Sequence, residues 1–138
     1  HYESWGEDSH SLTLSGFTPT RTGEHLIQVT YGNGSGAINT GITCAVKRIR
    51  IEEEGSGTVV SEGFLVMPHL GDWSRWEDSN FVSADLRSDR TYRIVIFADE
   101  DSVNMSSFNH FETYCCSGGS SGVHNFVNIA ELKVLAAE

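Results

Sequence analysis

An all-β sandwich or barrel is the fold class this sequence predicts, and three observations carry it. Several segments of strand length alternate apolar and polar residues or run apolar throughout. Gly, Asn, Asp and Ser turns separate them at intervals of roughly 10–15 residues. No segment longer than about two turns holds a helical period.

The elements follow in order. "SLTLSGF" (11–17) alternates, with Leu12 and Leu14 on one side. "EHLIQVTY" (24–31) sets Ile27, Val29 and Tyr31 on one face against Leu26, Gln28 and Thr30 on the other. "ITCAVKRIRI" (42–51) is long and β-branched; its basic run Lys47–Arg50, followed at once by acidic residues, reads as a solvated strand face. "GTVVSEGFLVM" (57–67) is apolar at both ends, "FVSADL" (81–86) alternates, "TYRIVIF" (91–97) is nearly continuous and "NFVNIAELKVL" (125–135) closes the chain. Long loops join them at 31–41, 68–76, 98–114 and 115–125. Loops of that length in a compact domain tend to carry function.

The chain of 138 residues suits a single domain spanning 1–138. Asp and Glu outnumber Lys and Arg by 19 to 9, a formal charge of −10. That balance argues against nucleic acid or an anionic membrane as partner, since either needs a clustered basic surface. No apolar stretch has the length to span a bilayer. The abrupt opening "HYESWGEDSH" reads as a module cut from a longer polypeptide whose leader lay upstream or was removed. The three cysteines leave alternatives open. Cys44 could pair with Cys115 or Cys116, the vicinal pair could bridge at a strained geometry, or Cys44 is a buried thiol.

No nucleophile elbow, HExxH or Cys–His signature is present, and His69 and His110 are not at chelating spacing. A glycosidase needs two carboxyls at a defined separation, and among 19 acidic residues singling out Asp72, Glu77, Asp99 or Asp101 would be arbitrary. The chain therefore reads as non-catalytic. The distinctive feature is "GDWSRW" (71–76). Trp73 and Trp76 are an odd offset apart and cannot share one strand face. If Trp76 starts a strand and points inward, Trp73 stands on the Gly71–Asp72 turn; if the turn is helical, both are core. Sugar rings present flat C–H faces that stack on indoles, while Asn and Asp side chains take hydroxyls, so a loop-borne Trp near Tyr and Asn suits a carbohydrate. "NGS" (33–35) and "NMS" (104–106) fit the N-glycosylation pattern, and a glycan on Asn33 would obstruct such a site.

Taken together, "GEHLIQVTYGNGSGAINTGI" (23–42), "GDWSRW" (71–76) and "FVNIAELKVL" (126–135) resemble three stretches of carbohydrate-binding modules of families 6 and 35, in the family's order. The resemblance covers roughly residues 11–135. It implies a jelly-roll β-sandwich, galactose-binding-domain-like, that binds glycans in the loops at one end. Position by position it suggests Tyr31, Asn33, Trp73 and Asn128 as ligand-binding residues, with Asn125 as a neighbour and Trp76 structural. Relatives hold a structural calcium partly through an Asp that is Ala130 here. Glu7, Asp8 and Glu131 could supply the hard oxygen donors instead. The segment 98–125, with Asn104, His110 and Tyr114, is a long insert before the last strand.

The resulting expectation is a secreted, monomeric, non-catalytic module that binds a polysaccharide or oligosaccharide and keeps a catalytic domain of the same parent chain on it. Two other readings remain: a catalytic or accessory domain of a glycoside hydrolase or polysaccharide lyase, and a structural sandwich packed in an interdomain seam.

Overall fold

The computed structural model describes residues 2–5, 11–33, 44–68, 70–72, 74–97 and 127–137, with the backbone alone at 2–5, 44 and 45. The described residues form nine strands: β1 (Tyr2–Trp5), β2 (Leu12–Phe17), β3 (Gly23–Gly32), β4 (Cys44–Glu53), β5 (Val59–Pro68), β6 (Glu77–Asp78), β7 (Val82–Leu86), β8 (Tyr92–Ile96) and β9 (Val127–Ala136). The first sheet runs β1-β9-β3-β6, with β7 also on β3; the second runs β2-β8-β4-β5. All pairings are antiparallel. The fold is an all-β sandwich, and no helix of the described residues is long and apolar enough to cross a membrane.

Alternation makes the core. Ile27, Val29 and Tyr31 of β3 point inward as their spacing predicts, and Val82, Ala84, Leu86, Val127 and Ile129 join them from the first sheet. Ile49, Ile51, Leu65, Met67, Ile94 and Ile96 face them from the second. Each such side chain, fully buried, contributes roughly 1.5–3 kcal/mol of transfer free energy. β9 would lose its phase part-way, because Leu132 and Ile129, both facing the core, are an odd number of residues apart. A bulge restores it: Thr30 pairs with Glu131 but Tyr31 pairs with Ile129, so Ala130 is the extra residue.

β3 is the spine of the first sheet. It pairs with β9 along most of its length, with β7 over Gly23–Ile27 and with β6 over Thr30–Tyr31. Ser79 fills the break between β7 and β6: its N–H donates to Val29 O at 2.8 Å, and its hydroxyl accepts from Val29 N–H at 3.0 Å.

The basic run of β4 departs from the expected solvated face. Lys47 shares parity with Ile49 and Ile51 and is fully buried, whereas Arg48 and Arg50 are partly buried on the outer side. β4 lies between β8 and β5, so its inward positions are core positions whatever their charge. The long alkyl stem of lysine makes that placement feasible.

Across the sandwich, Gly63 of β5 meets Val82 of β7. A Cβ on Gly63 would stand 3.0 Å from both Val82 methyls. Gly63→Ala should therefore destabilise the fold by about 1–3 kcal/mol, as overpacking does. Val82→Ala in the same chain should recover part of that loss, and urea unfolding of the two variants checks it.

Candidate functional site

One end of the sandwich gathers three of the residues singled out in the sequence. Tyr31 and Asn33 close β3, and Asn128 opens β9 opposite Gly32. All three are buried. Two of them reach across the sandwich: Tyr31 Oη donates to Pro68 O at 2.9 Å, and Asn33 Nδ2 donates to Met67 O at 2.9 Å. Asn33 also accepts, through its carbonyl, from Leu70 N–H at 2.7 Å. Two consecutive carbonyls of the β5 terminus and the first residue of the tryptophan segment are thus tied to the end of β3. The Asn33 amide nitrogen, the atom a glycan would modify, is occupied by this bond and buried in the folded chain.

The tryptophan segment is held from both sides. It leaves β5 at Leu70 on Asn33 and returns at β6, where Glu77 pairs with Tyr31 and Asp78 with Thr30. Its turn is shaped locally. Gly71 takes φ +83°, a left-handed conformation that costs glycine little. Asp72 then accepts Ser74 N–H on Oδ1 at 2.8 Å and Arg75 N–H on its carbonyl at 3.3 Å. This Asx turn makes Asp72 a shaping residue.

Trp76 corrects an expectation. It is 38% exposed rather than buried. β6 begins only at Glu77, and two residues before Asp78 an indole falls by alternation on the outer face, with Thr30 and Lys133, instead of the inner face with Tyr31. The segment therefore presents an exposed indole, together with exposed Asp72, Arg75 and Glu77. Trp73 and Asn125 lie outside the described residues.

Of the proposed metal ligands, Glu131 is exposed on the β9 bulge, and Glu7 and Asp8 lie outside the described residues. β1 runs from Tyr2 opposite Ile129 to Trp5 opposite Val127, so it leaves β9 at the end away from Glu131. From Val127 to Glu131 is about 13 Å at the rise of a strand. No group of three or more His, Cys, Asp or Glu side chains positioned to hold a metal occurs among the described residues. Ala130, where the resemblance implies an Asp, borders a cavity of about 340 Å³ between β2 and the bulge, lined largely by Leu12, Leu14, Ile94 and Ile129. The described residues do not by themselves make a calcium site. The proposed Cys44 bridge likewise involves Cys115 and Cys116, outside the described residues.

The outer face beside the tryptophan segment carries a residue set that pattern reading missed. Asp78 accepts from Thr30 Oγ1 at 2.8 Å and from Lys133 Nζ at 3.0 Å. A further miss is Asn80, whose amide pairs with the β5 edge: Oδ1 accepts Val66 N–H at 2.7 Å and Nδ2 donates to Phe64 O at 2.8 Å. Both are long-range pairings, and only the Ser-Asn turn letters hinted at the second.

Comparison with solved structures bears on this arrangement. Xyl-CBM35, solved in complex with a glucuronic acid-containing disaccharide, matches 94% of this chain over 68% of its own at TM-score 0.56 and 14% identity. The family 35 carbohydrate-binding module of Cellvibrio japonicus Abf62 matches 94% over 67% at TM-score 0.52 and 14% identity. The chain has the fold of these modules. No family model matches the sequence, and no curated protein matches it significantly. The module fold thus appears here at an identity too low for sequence alignment to follow.

Asp78 gives a pH test of the anchored segment. Hydrogen bonds from Lys133 first, then from Thr30, hold its carboxyl below the ordinary value of 3.8. A depressed acid contributes stability above its unfolded-state pKa and loses it as pH falls through the folded-state value. The melting-temperature gap between wild type and Asp78→Asn should be full above pH 3.8 and close below it. Because the pair is exposed, the gap should also shrink with added salt.

Proposed function

We propose that the chain is a non-catalytic glycan-binding module of the family 6 and 35 type, with its site at the loop end of the sandwich. The observation that carries the reading is an exposed indole, Trp76, on a segment anchored at both ends to β3, in a fold shared with carbohydrate-binding modules. Both of those relatives are by name family 35 modules, and one was solved with a sugar bound. Trp73 and Trp76 are the stacking groups. Tyr31 and Asn33 fix the segment, Asn128 lies buried beside them opposite Gly32, and Asn125 completes the hydrogen bonds to hydroxyls. Stacking an indole on a pyranose face removes apolar surface from water, and fixing the segment beforehand reduces the entropy lost on binding.

In this reading the module is secreted, acts as a monomer and belongs to a larger polysaccharide-degrading enzyme. It works by proximity: tethering raises the effective concentration of an attached catalytic domain at the polymer, which needs only modest intrinsic affinity.

A glycan-array screen followed by calorimetric titration tests the site. Trp73→Ala and Trp76→Ala should each weaken binding by roughly 1–3 kcal/mol, the range of aromatic anchors. Because Trp76 is exposed, its removal should cost folding stability only about 0.5–1 kcal/mol. Wild-type affinity in both variants would place the site away from this segment.

The calcium ion implied by the resemblance is part of the same proposal, with Glu7 and Asp8 as its donors; Glu131 stands about 13 Å along β9 from the Trp5 pairing and does not join them. A bound ion stabilises the folded state by mass action. Saturating calcium should raise the melting temperature of EDTA-stripped protein, and an unmoved curve removes the ion.

A further inference from the structure

Trp76 reaches the outer face of the first sheet because of a single inserted residue. In β7, Val82, Ala84 and Leu86 point into the core. Strict alternation carried back from Val82 would turn Asn80, Asp78 and Trp76 inward as well. The pairing with β3 prevents this. Asp78 pairs with Thr30 and Val82 with Ile27, so an advance from 78 to 82 faces one from 30 to 27, a residue shorter. The extra residue inverts the phase, as a β-bulge does. Asp78 therefore shares the outer face with Thr30, whose hydroxyl donates to its Oδ1 at 2.8 Å, and Trp76 follows two residues earlier. Ser79 and Asn80 hold the inserted turn. Buried Ser79 donates its N–H to Val29 O at 2.8 Å, accepts Val29 N–H on its hydroxyl at 3.0 Å, and accepts Gln28 Nε2 on its carbonyl at 2.9 Å. Asn80 turns away from β3 to the other sheet, where its side-chain amide takes the place of a neighbouring strand on Val66 N–H and Phe64 O.

We propose that Ser79 and Asn80 are positioning residues of the candidate glycan site, and that the bulge they lock presents the Trp76 indole to its ligand. The inference rests on the glycan-binding reading above and adds to it residues that touch no sugar. Three physical points favour it. β6 has only two paired residues, Glu77 and Asp78, too few to fix by themselves the direction of the chain entering it. The next two residues are bonded to both sheets, Ser79 to β3 and Asn80 to β5, so the indole takes its direction from the whole sandwich. Apolar burial does not supply the same restraint, because Phe81, the next residue, is 49% exposed. Directional bonds must hold the turn instead. A segment fixed before binding loses less freedom when a sugar stacks on it. Loosening the junction should therefore cost affinity without removing any contact to the ligand.

The test compares wild type with Asn80→Ala, Asn80→Asp, Ser79→Ala, Trp76→Ala and Tyr92→Phe in the whole chain, using those that melt cooperatively. Asn80→Asp keeps the acceptor for Val66 N–H and loses the donor to Phe64 O, which makes it the milder junction variant. Tyr92→Phe is the stability control, since it removes the hydroxyl that accepts Arg87 N–H at 2.9 Å at the opposite end of the sandwich. Two readouts are taken. Labelling with 5-fluorotryptophan gives a fluorine NMR resonance for each of the three tryptophans, assigned by a phenylalanine substitution at each. Calorimetric titration with β-glucan, xylan, galactan and homogalacturonan oligosaccharides gives the affinity for the tightest wild-type ligand. The junction variants should broaden or split the Trp76 resonance and weaken binding by roughly threefold to tenfold. Tyr92→Phe should lower the melting temperature and leave both readouts as in wild type. Either readout unchanged in the junction variants overturns the proposal while the glycan reading stands. An equal loss of affinity in Tyr92→Phe also overturns it, because the effect would then be one of general stability. If Trp76→Ala binds as wild type does, or wild type binds none of these oligosaccharides and the array yields no ligand, the reading at this segment falls and the proposal falls with it.

Discussion

The registration of the two sheets depends on a few directional bonds between them, and those at the end of β3 matter most. Hydrophobic burial holds the sheets together but is indifferent to small slides, because apolar contact has no preferred direction. Tyr31 Oη on Pro68 O and Asn33 Nδ2 on Met67 O remove that freedom at one end. Asn80, paired with both Phe64 and Val66, removes it along the β5 edge. Asn80 also satisfies backbone groups that an edge strand would otherwise offer to another chain. The tryptophan segment inherits its position from these bonds, since it starts on Asn33 and ends on Tyr31 and Thr30. The polar residues at the loop end therefore serve architecture first, and the surface they support is the part left to meet a ligand.

The same alternation that builds the core sorts the charged residues. In β4 consecutive basic residues go to opposite sides, Lys47 into the sandwich and Arg48 out onto Phe97. In β9 one extra residue, Ala130, lets Leu132 and Ile129 both reach the core and leaves Glu131 exposed. A resemblance aligned by letters equates Ala130 with a metal-binding Asp. The bulge shows what the position does here, which is to correct the phase of a strand.

Period-two patterns made the strands legible: 24–31, 57–67 and 81–86 appear almost as read, and Ile27, Val29 and Tyr31 face the core as their spacing required. The three motif stretches led to the sandwich, and solved modules share that fold. What pattern could not supply was long-range pairing. The two-residue strand β6 has no periodicity, so the face of Trp76 depended on its register with β3. Four-residue β1 was likewise too short to announce itself. Lys47 was misread because a basic run resembles a solvated face until β4 is known to lie between two neighbours. Tyr31, Asn33 and Asn128 lie at one end of the sandwich, but their burial, and the bonds of Tyr31 and Asn33 to β5, follow from the facing sheet, which sequence spacing does not encode.

Electrostatics places a condition on any acidic ligand. With a formal charge of −10, the chain as a whole repels a polyuronate or sulfated polymer. That repulsion is long-range, and at physiological ionic strength it fades over a Debye length of about 8 Å. Contacts inside that distance are governed by what lies on the local face. On the outer side of the second sheet these are guanidiniums pinned to Phe97, with Glu52 already engaged by Arg50 and Arg93. On the loop end they are an indole and a mixed set of charges at Asp72, Arg75 and Glu77. The two faces therefore answer to different chemistry, since stacking on an indole is insensitive to salt while a guanidinium–oxyanion contact is not. On β4, alternation turns Arg48 and Arg50 to the same side, where both guanidinium groups lie over the ring of Phe97.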